Sequence, residues 1–286
     1  MDYVLKKGYQ GDGKLRSSFN ELATETFGLN FENWYQSGYW GEKYIPYSII
    51  VGNQVVSNVS VNLIDCGYRG RIRHYVQFGT VMTRQAHRHR GYCRLLMETV
   101  LKDYASCDGF FLYANDNVLG FYPRFGFQEM KEYRYEKEED GGRGVAERVS
   151  METKGDWSRF LAEKNRRSGN GLLDMQTDGL LMFYLAQFMR EDVFYVPQED
   201  AYVVAEIGNG KLVIYDVYSP RPANMVKICG AFGKEIRKVQ YAFPPRDTDG
   251  LRCVEWKAED TTFFVLGQKI KQDMETIKSF PEIVHA

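Results

Sequence analysis

The stretch TVMTRQAHRHRGYCRLLM, residues 80–97, decides the fold of this chain. It starts as the end of a β-branched run, turns at Gly91 among basic side chains, and continues with apolar residues at helical spacing. The first N–H groups of a helix have no intrahelical partners, so a helix that starts at such a turn offers them to a ligand. With the helix dipole and the flanking arginines, they favour a diphosphate. A basic turn is also typical of a solvated helix start, although cations are disfavoured at that end of the dipole.

The overall composition indicates a globular protein with two domains. The chain has 286 residues, of which 44% are hydrophobic and 15% aromatic, enough apolar material for two cores. Its 37 basic and 38 acidic residues leave a net charge of -1, so no overall field attracts nucleic acid or an anionic membrane. Confinement of the basic cluster to one turn also disfavours a nucleic-acid binder. Any anion site must therefore be local.

Cysteine usage and hydropathy indicate the compartment. Five cysteines are scattered without a CxxC spacing, which argues against a disulfide framework and a zinc site. His87 and His89 have no cysteine, aspartate or glutamate nearby, so we expect no metal. No apolar leader opens the chain, and nowhere do eighteen apolar residues follow one another. We expect a cytoplasmic protein without a membrane segment.

The first half has the pattern of an α/β domain. Apolar spacing predicts a helix over residues 15–28, followed by three antiparallel strands within 48–82. A helix then begins near Gly91, with a short strand at 109–115 and a final strand at 128–138. The order is therefore helix, strands, helix, strand, short helix, strand.

The second half predicts a copy of the same architecture. A charged, glycine-rich run follows the final strand of the first half, so we place the domains at 1–145 and 146–286. Two helical patterns, a hairpin around Asn209-Gly210, a short helix and two strands then repeat the earlier order.

Two motifs in order resemble a known family. The turn is similar to the acetyl-CoA signature of the GCN5-related N-acetyltransferases, Arg/Gln-x-x-Gly-x-Gly/Ala, with Cys93 in place of the last glycine or alanine. The residues of the motif are Arg88, His89, Arg90, Gly91, Tyr92 and Cys93. Downstream, NDNVLGFYPRFGF at 115–127 resembles the family's Asn…Phe-Tyr-x-x-x-Gly-Phe segment. The closer similarity is to longer bacterial members with tandem domains.

The resemblance implies a fold and a cofactor. The fold would be a mixed, mostly antiparallel sheet flanked by helices, followed by a second, degenerate copy. Acetyl-CoA would lie where the fourth and fifth strands separate, with its pantetheine arm along Val81, Met82 and Thr83. The turn at 88–93 would hold the pyrophosphate through backbone N–H groups.

Two further side chains receive roles from the resemblance. Asn115 would bond the pantetheine through its carboxamide, although asparagine there is equally suited to cap a helix. Tyr122 would hydrogen-bond or protonate the departing thiolate, because a phenol within reach can supply a proton. The alternative for Tyr122 is an aromatic side chain that only fills the core. Cys93 is better suited to packing than to nucleophilic attack.

The sequence leaves the general base unassigned. Members of the family often carry a glutamate on the fourth strand, whereas this chain has Gln77 and Thr80, and neither is a base. The conceivable alternatives are Glu32, Asp65, His74 and the terminal Ala286.

The second half lacks both motifs. Pro220 and Pro222 occupy the turn where N–H donors would be needed, so we expect no coenzyme there. A degenerate copy can still form a wall of the acceptor pocket, as can the aromatic segment NWYQSGYWGEKYIPY at 33–47, which is equally typical of core.

We therefore expect an acetyl-CoA-dependent N-acetyltransferase that acts by direct attack of a primary amine. The acceptor would be a small molecule or a peptide, and self-association of the chain stays open. The alternative is a protein that binds acyl-CoA without turnover, as a sensor or regulatory module.

Overall fold

The computed structural model describes residues 2–139 and 141–285. The α-helices are α1 Gly13–Phe27, α2 Glu32–Gln36, α3 Tyr92–Asp103, α4 Lys154–Lys164, α5 Asp178–Gln187, α6 Met225–Gly230 and α7 Gln268–Ile277. The strands are β1 Val4–Lys7, β2 Tyr44–Val51, β3 Gln54–Tyr68, β4 Arg71–Thr83, β5 Gly109–Ala114, β6 Gln128–Glu129, β7 Glu132–Glu138, β8 Glu147–Arg148, β9 Ser168–Gly169, β10 Asp174–Met175, β11 Val193–Val196, β12 Ala201–Gly208, β13 Lys211–Ser219, β14 Lys238–Tyr241, β15 Arg252–Trp256 and β16 Thr262–Leu266.

The first sheet is mixed and mostly antiparallel, as predicted. Its order is β1-β2-β3-β4-β5-β16-β6, and β10 adds a short pair at the end of β3. Only β4 and β5 in this order run parallel, and α3 makes the crossover between them. Helices α1 and α2 connect β1 to β2.

The second sheet repeats this topology, which confirms the expected second copy. Its order is β8-β11-β12-β13-β14-β7-β15, and again one pair, β13 with β14, is parallel. Helix α6 crosses between these two strands, and α4 and α5 connect β8 to β11. Each of the seven strands in the order of the first sheet thus has a counterpart in the second, and helices α1, α2 and α3 correspond to α4, α5 and α6.

The two sheets exchange one strand each. Strand β7 leaves the first half and pairs with β14 and β15, whereas β16 comes from the end of the chain and pairs with β5 and β6. The expected single strand over 128–138 is therefore wrong, because the chain changes sheets after Glu129. The sequence TFFVL of β16 is buried almost throughout and suits the centre of a sheet covered on both faces. Strand β7 instead alternates and buries Glu132, Arg134 and Glu136 on one face.

This exchange crosses the expected boundary at residue 145 in both directions. No single boundary in the sequence therefore separates the strands of the two sheets. Helix α7, which the sequence reading did not include, follows β16 and packs on the first sheet through Ile270, Met274 and Ile277.

The first sheet is covered by apolar clusters on both faces. Phe19, Trp34, Tyr44 and Phe111 belong to the cluster under α1 and α2, and Leu96 belongs to the cluster under α3. No helix in the described part of the chain combines the length and apolar character needed to cross a bilayer.

Candidate active site

A gap opens between β4 and β5. Their parallel pairing extends from Tyr75 with Gly109 to Phe78 with Leu112 and then stops. Beyond that point β4 stays with β3 while β5 stays with β16. Within the described residues no strand covers the edge of β4 at 79–83, so its backbone is free to pair with a ligand.

A bulge bends β4 at the start of the gap. Thr80 has a φ of +40°, and the register between β3 and β4 shifts between Asn58 and Ser60. Bulges re-aim a strand and end its pairing on one side. Of the residues expected to accompany the pantetheine, Met82 is buried, whereas Val81 and Thr83 are half-buried along the gap.

The basic turn lies at the mouth of this gap. Gly91 has a φ of +79° and is the N-cap of α3, with no side chain capping the helix among the described residues. The first N–H groups of α3 are therefore unbonded within the helix, and they point outward. A Cβ on Gly91 would meet no atom within 4 Å, so the space in front of the turn is open.

The arginines of the turn are held close to it. The Arg88 Nε donates to the Thr83 carbonyl over 3.2 Å, and an Arg90 guanidinium nitrogen donates to the Ala86 carbonyl over 3.3 Å. Both side chains are exposed and carry further N–H groups. The turn therefore combines backbone donors with two positive charges, which suits a diphosphate.

The histidines of the turn form no metal cluster. His89 is exposed with a φ of +62°, and His87 is half-buried beside Tyr92, with burial and the nearby Arg90 lowering its pKa. No group of three or more potential metal ligands occurs in the residues that the structure describes.

The corresponding turn of the second half is closed. The Asn224 side chain accepts hydrogen bonds from Val226 N and Lys227 N at the start of α6, at 3.0 and 3.3 Å. Pro220 and Pro222 precede it, as noted from the sequence. The donors that would bind a phosphate are already bonded, which supports the expectation that only the first half binds coenzyme.

Tyr122 is buried behind the turn. It opens a short 3-10 helix, Tyr122–Phe125, and its ring packs against Phe264 of β16 at 5.9 Å between ring centroids. Burial and the neighbouring Cys93 raise the pKa of Tyr122, so the phenol keeps its proton at neutral pH. A neutral phenol can donate a proton to a thiolate.

Cys93 does not have the properties of a nucleophile. Burial raises the pKa of its thiol to about 12, so the thiolate is scarce at neutral pH. The side chain packs with the apolar cluster under α3. This agrees with the packing role predicted from the sequence.

The Asn115 side chain is hydrogen-bonded to the loop between β15 and β16. Its Nδ2 donates to an Asp260 carboxylate oxygen over 2.9 Å, and Asp116 N donates to the other oxygen over 2.8 Å. The side chain makes no helix-capping bond among the described residues. Any bond from Asn115 to pantetheine must therefore use its side-chain oxygen or displace Asp260.

Gln77 and Thr80 are both hydrogen-bonded inside the first sheet. The Thr80 carbonyl accepts from Asn58 Nδ2 at 2.9 Å, and its hydroxyl lies 3.0 Å from the Tyr44 hydroxyl. Gln77 is fully buried and accepts from Asn62 Nδ2 over 3.3 Å. Neither side chain can act as a base.

Three of the other candidate bases are held in ion pairs. Hydrogen bonds from Arg16 lower the pKa of Glu32, and hydrogen bonds from Lys43 and His74 lower the pKa of Asp65. His74 pairs with Asp65 and lies six residues before Thr80 on β4, roughly 20 Å away at strand spacing. The remaining candidate, Ala286, lies outside the described residues.

A cavity of about 850 Å³ lies between the two halves. The first half contributes Trp34, Tyr39 and Tyr44 from the aromatic segment, and the second half contributes Asp178 and Asp216, together with the chain end at 281–284. Burial raises the pKa of Asp216 to about 6. Tyr44, which lines the cavity, also has its hydroxyl 3.0 Å from the Thr80 hydroxyl at the bulge of β4.

Sequence reasoning missed a second set of polar residues beside the gap. Tyr113 lies one residue beyond Leu112, the last residue of β5 that pairs with β4. Its hydroxyl donates to Glu132 over 3.1 Å, and His285 stacks on its ring. These residues are up to 172 positions apart (285 − 113), so no local pattern could have joined them.

Comparisons with known proteins agree with this geometry. The model of the acetyltransferase (GNAT) family matches residues 15–127, which include the gap, the basic turn and Tyr122. A search of curated proteins finds no match.

Solved structures share the fold at low sequence identity. A probable N-acyltransferase from Enterococcus faecalis V583 is 11% identical with a TM-score of 0.59, over 96% of this chain and 75% of that chain. A GCN5-related N-acetyltransferase from Kribbella flavida is 19% identical with a TM-score of 0.57, over 92% and 71%. A putative acetyltransferase from Pyrococcus horikoshii is 14% identical with a TM-score of 0.51, over 99% and 96%.

The family model covers the first half, and these structures have the fold of almost the whole chain. Residues 15–127 therefore belong to the GNAT acetyltransferase family, and the chain continues into a second domain of the same strand order.

Proposed function

We propose that this protein transfers the acetyl group of acetyl-CoA to a primary amine of a small molecule or a peptide. The observation that supports the proposal is an open strand gap that leads to the uncapped start of α3, with the neutral phenol of Tyr122 beside Cys93 on that helix. Acyl transfer from acyl-CoA is the chemistry of the family.

The coenzyme would bind from the turn inward. Its pyrophosphate would lie on the N–H groups that follow Gly91, with Arg88 and Arg90 adding charge. The pantetheine arm would pair with the free edge of β4 at Val81–Thr83, and the thioester would reach the bulge at Thr80. The side-chain oxygen of Asn115 would be available to accept a hydrogen bond from the pantetheine.

The acceptor would enter from the cavity on the opposite side. Trp34, Tyr39 and Tyr44 line that cavity, and aromatic rings attract a cationic amine. The neutral amine would attack the thioester carbonyl directly, without a covalent enzyme intermediate. Tyr122 would then give its proton to the departing thiolate and recover one from the newly acylated nitrogen, which leaves a neutral amide.

The experiment measures coenzyme binding and free thiol release separately. We expect the protein to bind coenzyme A and to release its thiol from acetyl-CoA in the presence of one or more amines from a panel of diamines, polyamines, amino sugars and short peptides. In Tyr122→Phe we expect kcat to fall by about 10²-fold or more while the Kd for coenzyme A stays within about twofold. The packing of Tyr122 on Phe264 is retained in this variant, so the loss reports the hydroxyl.

The second candidate, an acyl-CoA sensor, is favoured by the lack of a carboxylate at Gln77 and Thr80 on β4. It predicts coenzyme binding without thiol release for every amine tested. That result would contradict the enzymatic proposal.

A further inference from the structure

Tyr113 lies at the point where β4 and β5 separate. Side chains alternate along β5, so Tyr113 shares a face with Phe111 and not with Leu112. That face carries the apolar cluster of Trp34 and Tyr44, two residues that also line the cavity. Because β4 has already separated from β5 at this position, Tyr113 stands beside the gap on the acceptor side.

Tyr113 connects this position to a buried carboxyl group. Its hydroxyl donates to Glu132 Oε1 over 3.1 Å, and Glu132 is only 6% exposed. The His285 ring stacks on the Tyr113 ring at 3.6 Å between centroids, and the Tyr184 hydroxyl donates to the His285 carbonyl. Tyr113 itself is half-buried and directly follows the last residue of β5 that pairs with β4.

The groups facing Glu132 come from three parts of the chain. They are Tyr113 on β5, Arg134 on its own strand, and Glu282 in the segment that follows α7. Arg134 is paired with Glu282, so it does not fully neutralise Glu132. Burial accordingly raises the pKa of Glu132 to about 8, whereas burial lowers the pKa of His285 to about 3. Of these groups, Glu132 is the one whose carboxylate forms, and can take up a proton, as pH rises to about 8.

We propose that Tyr113 and Glu132 form the path by which the acceptor ammonium loses its proton. This inference rests on the proposed function and names the base that the sequence left unassigned. The Tyr113 oxygen accepts a proton from the ammonium while the Tyr113 hydroxyl proton moves to the Glu132 carboxylate. The amine is then neutral and holds the lone pair needed for attack on the thioester.

The acceptor nitrogen loses two protons during the reaction, and both are accounted for. One proton passes from the ammonium through Tyr113 to Glu132 and is later released to water. The second proton leaves the nitrogen after the C–N bond has formed, and it balances the proton that Tyr122 gives to the thiolate as the C–S bond breaks. Tyr113 touches the substrate in this scheme, whereas Glu132 acts through Tyr113.

The test is the pH dependence of kcat with the best amine of the panel. We expect kcat of the unaltered protein to rise with pH to a plateau, with an inflection near pH 8. Glu132→Gln and Tyr113→Phe should each lower kcat by about 10²-fold or more and abolish that inflection, with coenzyme A affinity unchanged. Glu132→Asp should restore part of the rate and a shifted inflection.

A buried glutamate elsewhere provides the matched control. Glu199 is 7% exposed, lies in the second half and pairs with Lys227. Glu199→Gln should leave both kcat and its pH profile unchanged. If Glu132→Gln does not fold, Tyr113→Phe decides, because it removes only a hydroxyl and keeps the ring that stacks on His285.

A measurement without turnover is also available. In infrared difference spectra we expect a protonated carboxyl band that titrates near pH 8 and is missing from Glu132→Gln. If Glu132→Gln and Tyr113→Phe keep the kcat of the unaltered protein and its inflection near pH 8, the proton path through Tyr113 and Glu132 is wrong, although the proposed function still holds. Absence of transfer by the unaltered protein to every amine would instead contradict the proposed function itself.

Discussion

Gly91 and Asn224 occupy the same position in the two halves, at the N-caps of α3 and α6, and they have opposite effects. The glycine leaves the helix donors free and the space in front of them open. The asparagine bonds two of those donors with its own side chain. The residue type at the N-cap therefore separates a helix start whose N–H groups are uncapped from one in which a side chain bonds two of them.

The arginines of the open turn should contribute to coenzyme affinity. Because a charge-assisted bond to phosphate is worth about 1–3 kcal/mol, Arg88→Ala and Arg90→Ala should each raise the Kd for coenzyme A by about 5- to 150-fold. Isothermal titration calorimetry measures the change. Arg159→Ala serves as the control, because its side chain is 76% exposed on α4. Equal affinities for all three variants would show that the Arg88 and Arg90 side chains do not contact the phosphates.

At the scale of elements, the exchange of β7 and β16 ties the two halves together. Strand β16 separates β5 from β6, and Tyr122 packs on its Phe264. A strand from the second half of the chain thus packs against Tyr122 of the candidate site.

The contact between α7 and β5 can be tested by adding one carbon atom. A Cβ on Gly109 would lie 2.6 Å from the Cβ and Cγ2 of Ile270, and no side-chain rotation can move the Cβ away. We expect Gly109→Ala to lower the free energy of unfolding by about 1–3 kcal/mol, measured by urea denaturation.

Gly208→Ala is the matched control for that substitution. A Cβ there would meet no atom within 4 Å, and the change should stay within about 0.5 kcal/mol. If Gly109→Ala were as stable as this control, α7 would not be docked on β5 as described.

The elements differ in how far the sequence could predict them. The strand, turn and helix around Gly91 follow from residues close to one another, and the structure has them as predicted. The sheet to which a strand belongs depends on partners far along the chain, and the expected strand at 128–138 failed for this reason. Helix α7 carried a readable signal, since Ile270, Met274 and Ile277 recur at helical spacing.

The residues of the candidate site also differ in how far the sequence could predict them. The motif residues and Tyr122 could be located from local patterns, whereas the bond from Asn115 to Asp260 spans 145 positions. The pair of Tyr113 and Glu132 also needs the crossing of β7 to the second sheet before it can be recognised.

At the scale of the whole molecule, the junction between the halves buries titratable groups and makes stability depend on pH. The pKa of Glu132 is raised from 4.5 to about 8, so the folded protein holds a proton that the unfolded chain releases above about pH 4.5. The free energy of unfolding should therefore decrease as pH rises from about 5 to about 8, by a few kcal/mol at most from this group.

Glu132→Gln isolates this contribution, because the amide is neutral at every pH. Urea denaturation at a series of pH values should show that the free energy of unfolding decreases less between about pH 5 and about pH 8 in Glu132→Gln than in the unaltered protein. Parallel curves for the two proteins would show that Glu132 does not hold its proton in the fold.

The account depends most on where coenzyme A binds, and a crystal structure of the complex tests that directly. We predict the pyrophosphate on the N–H groups that follow Gly91, the pantetheine along Val81–Thr83, and the sulfur within reach of the Tyr122 hydroxyl. Coenzyme bound elsewhere, with the turn at 88–93 and the gap between β4 and β5 both empty, would contradict the account.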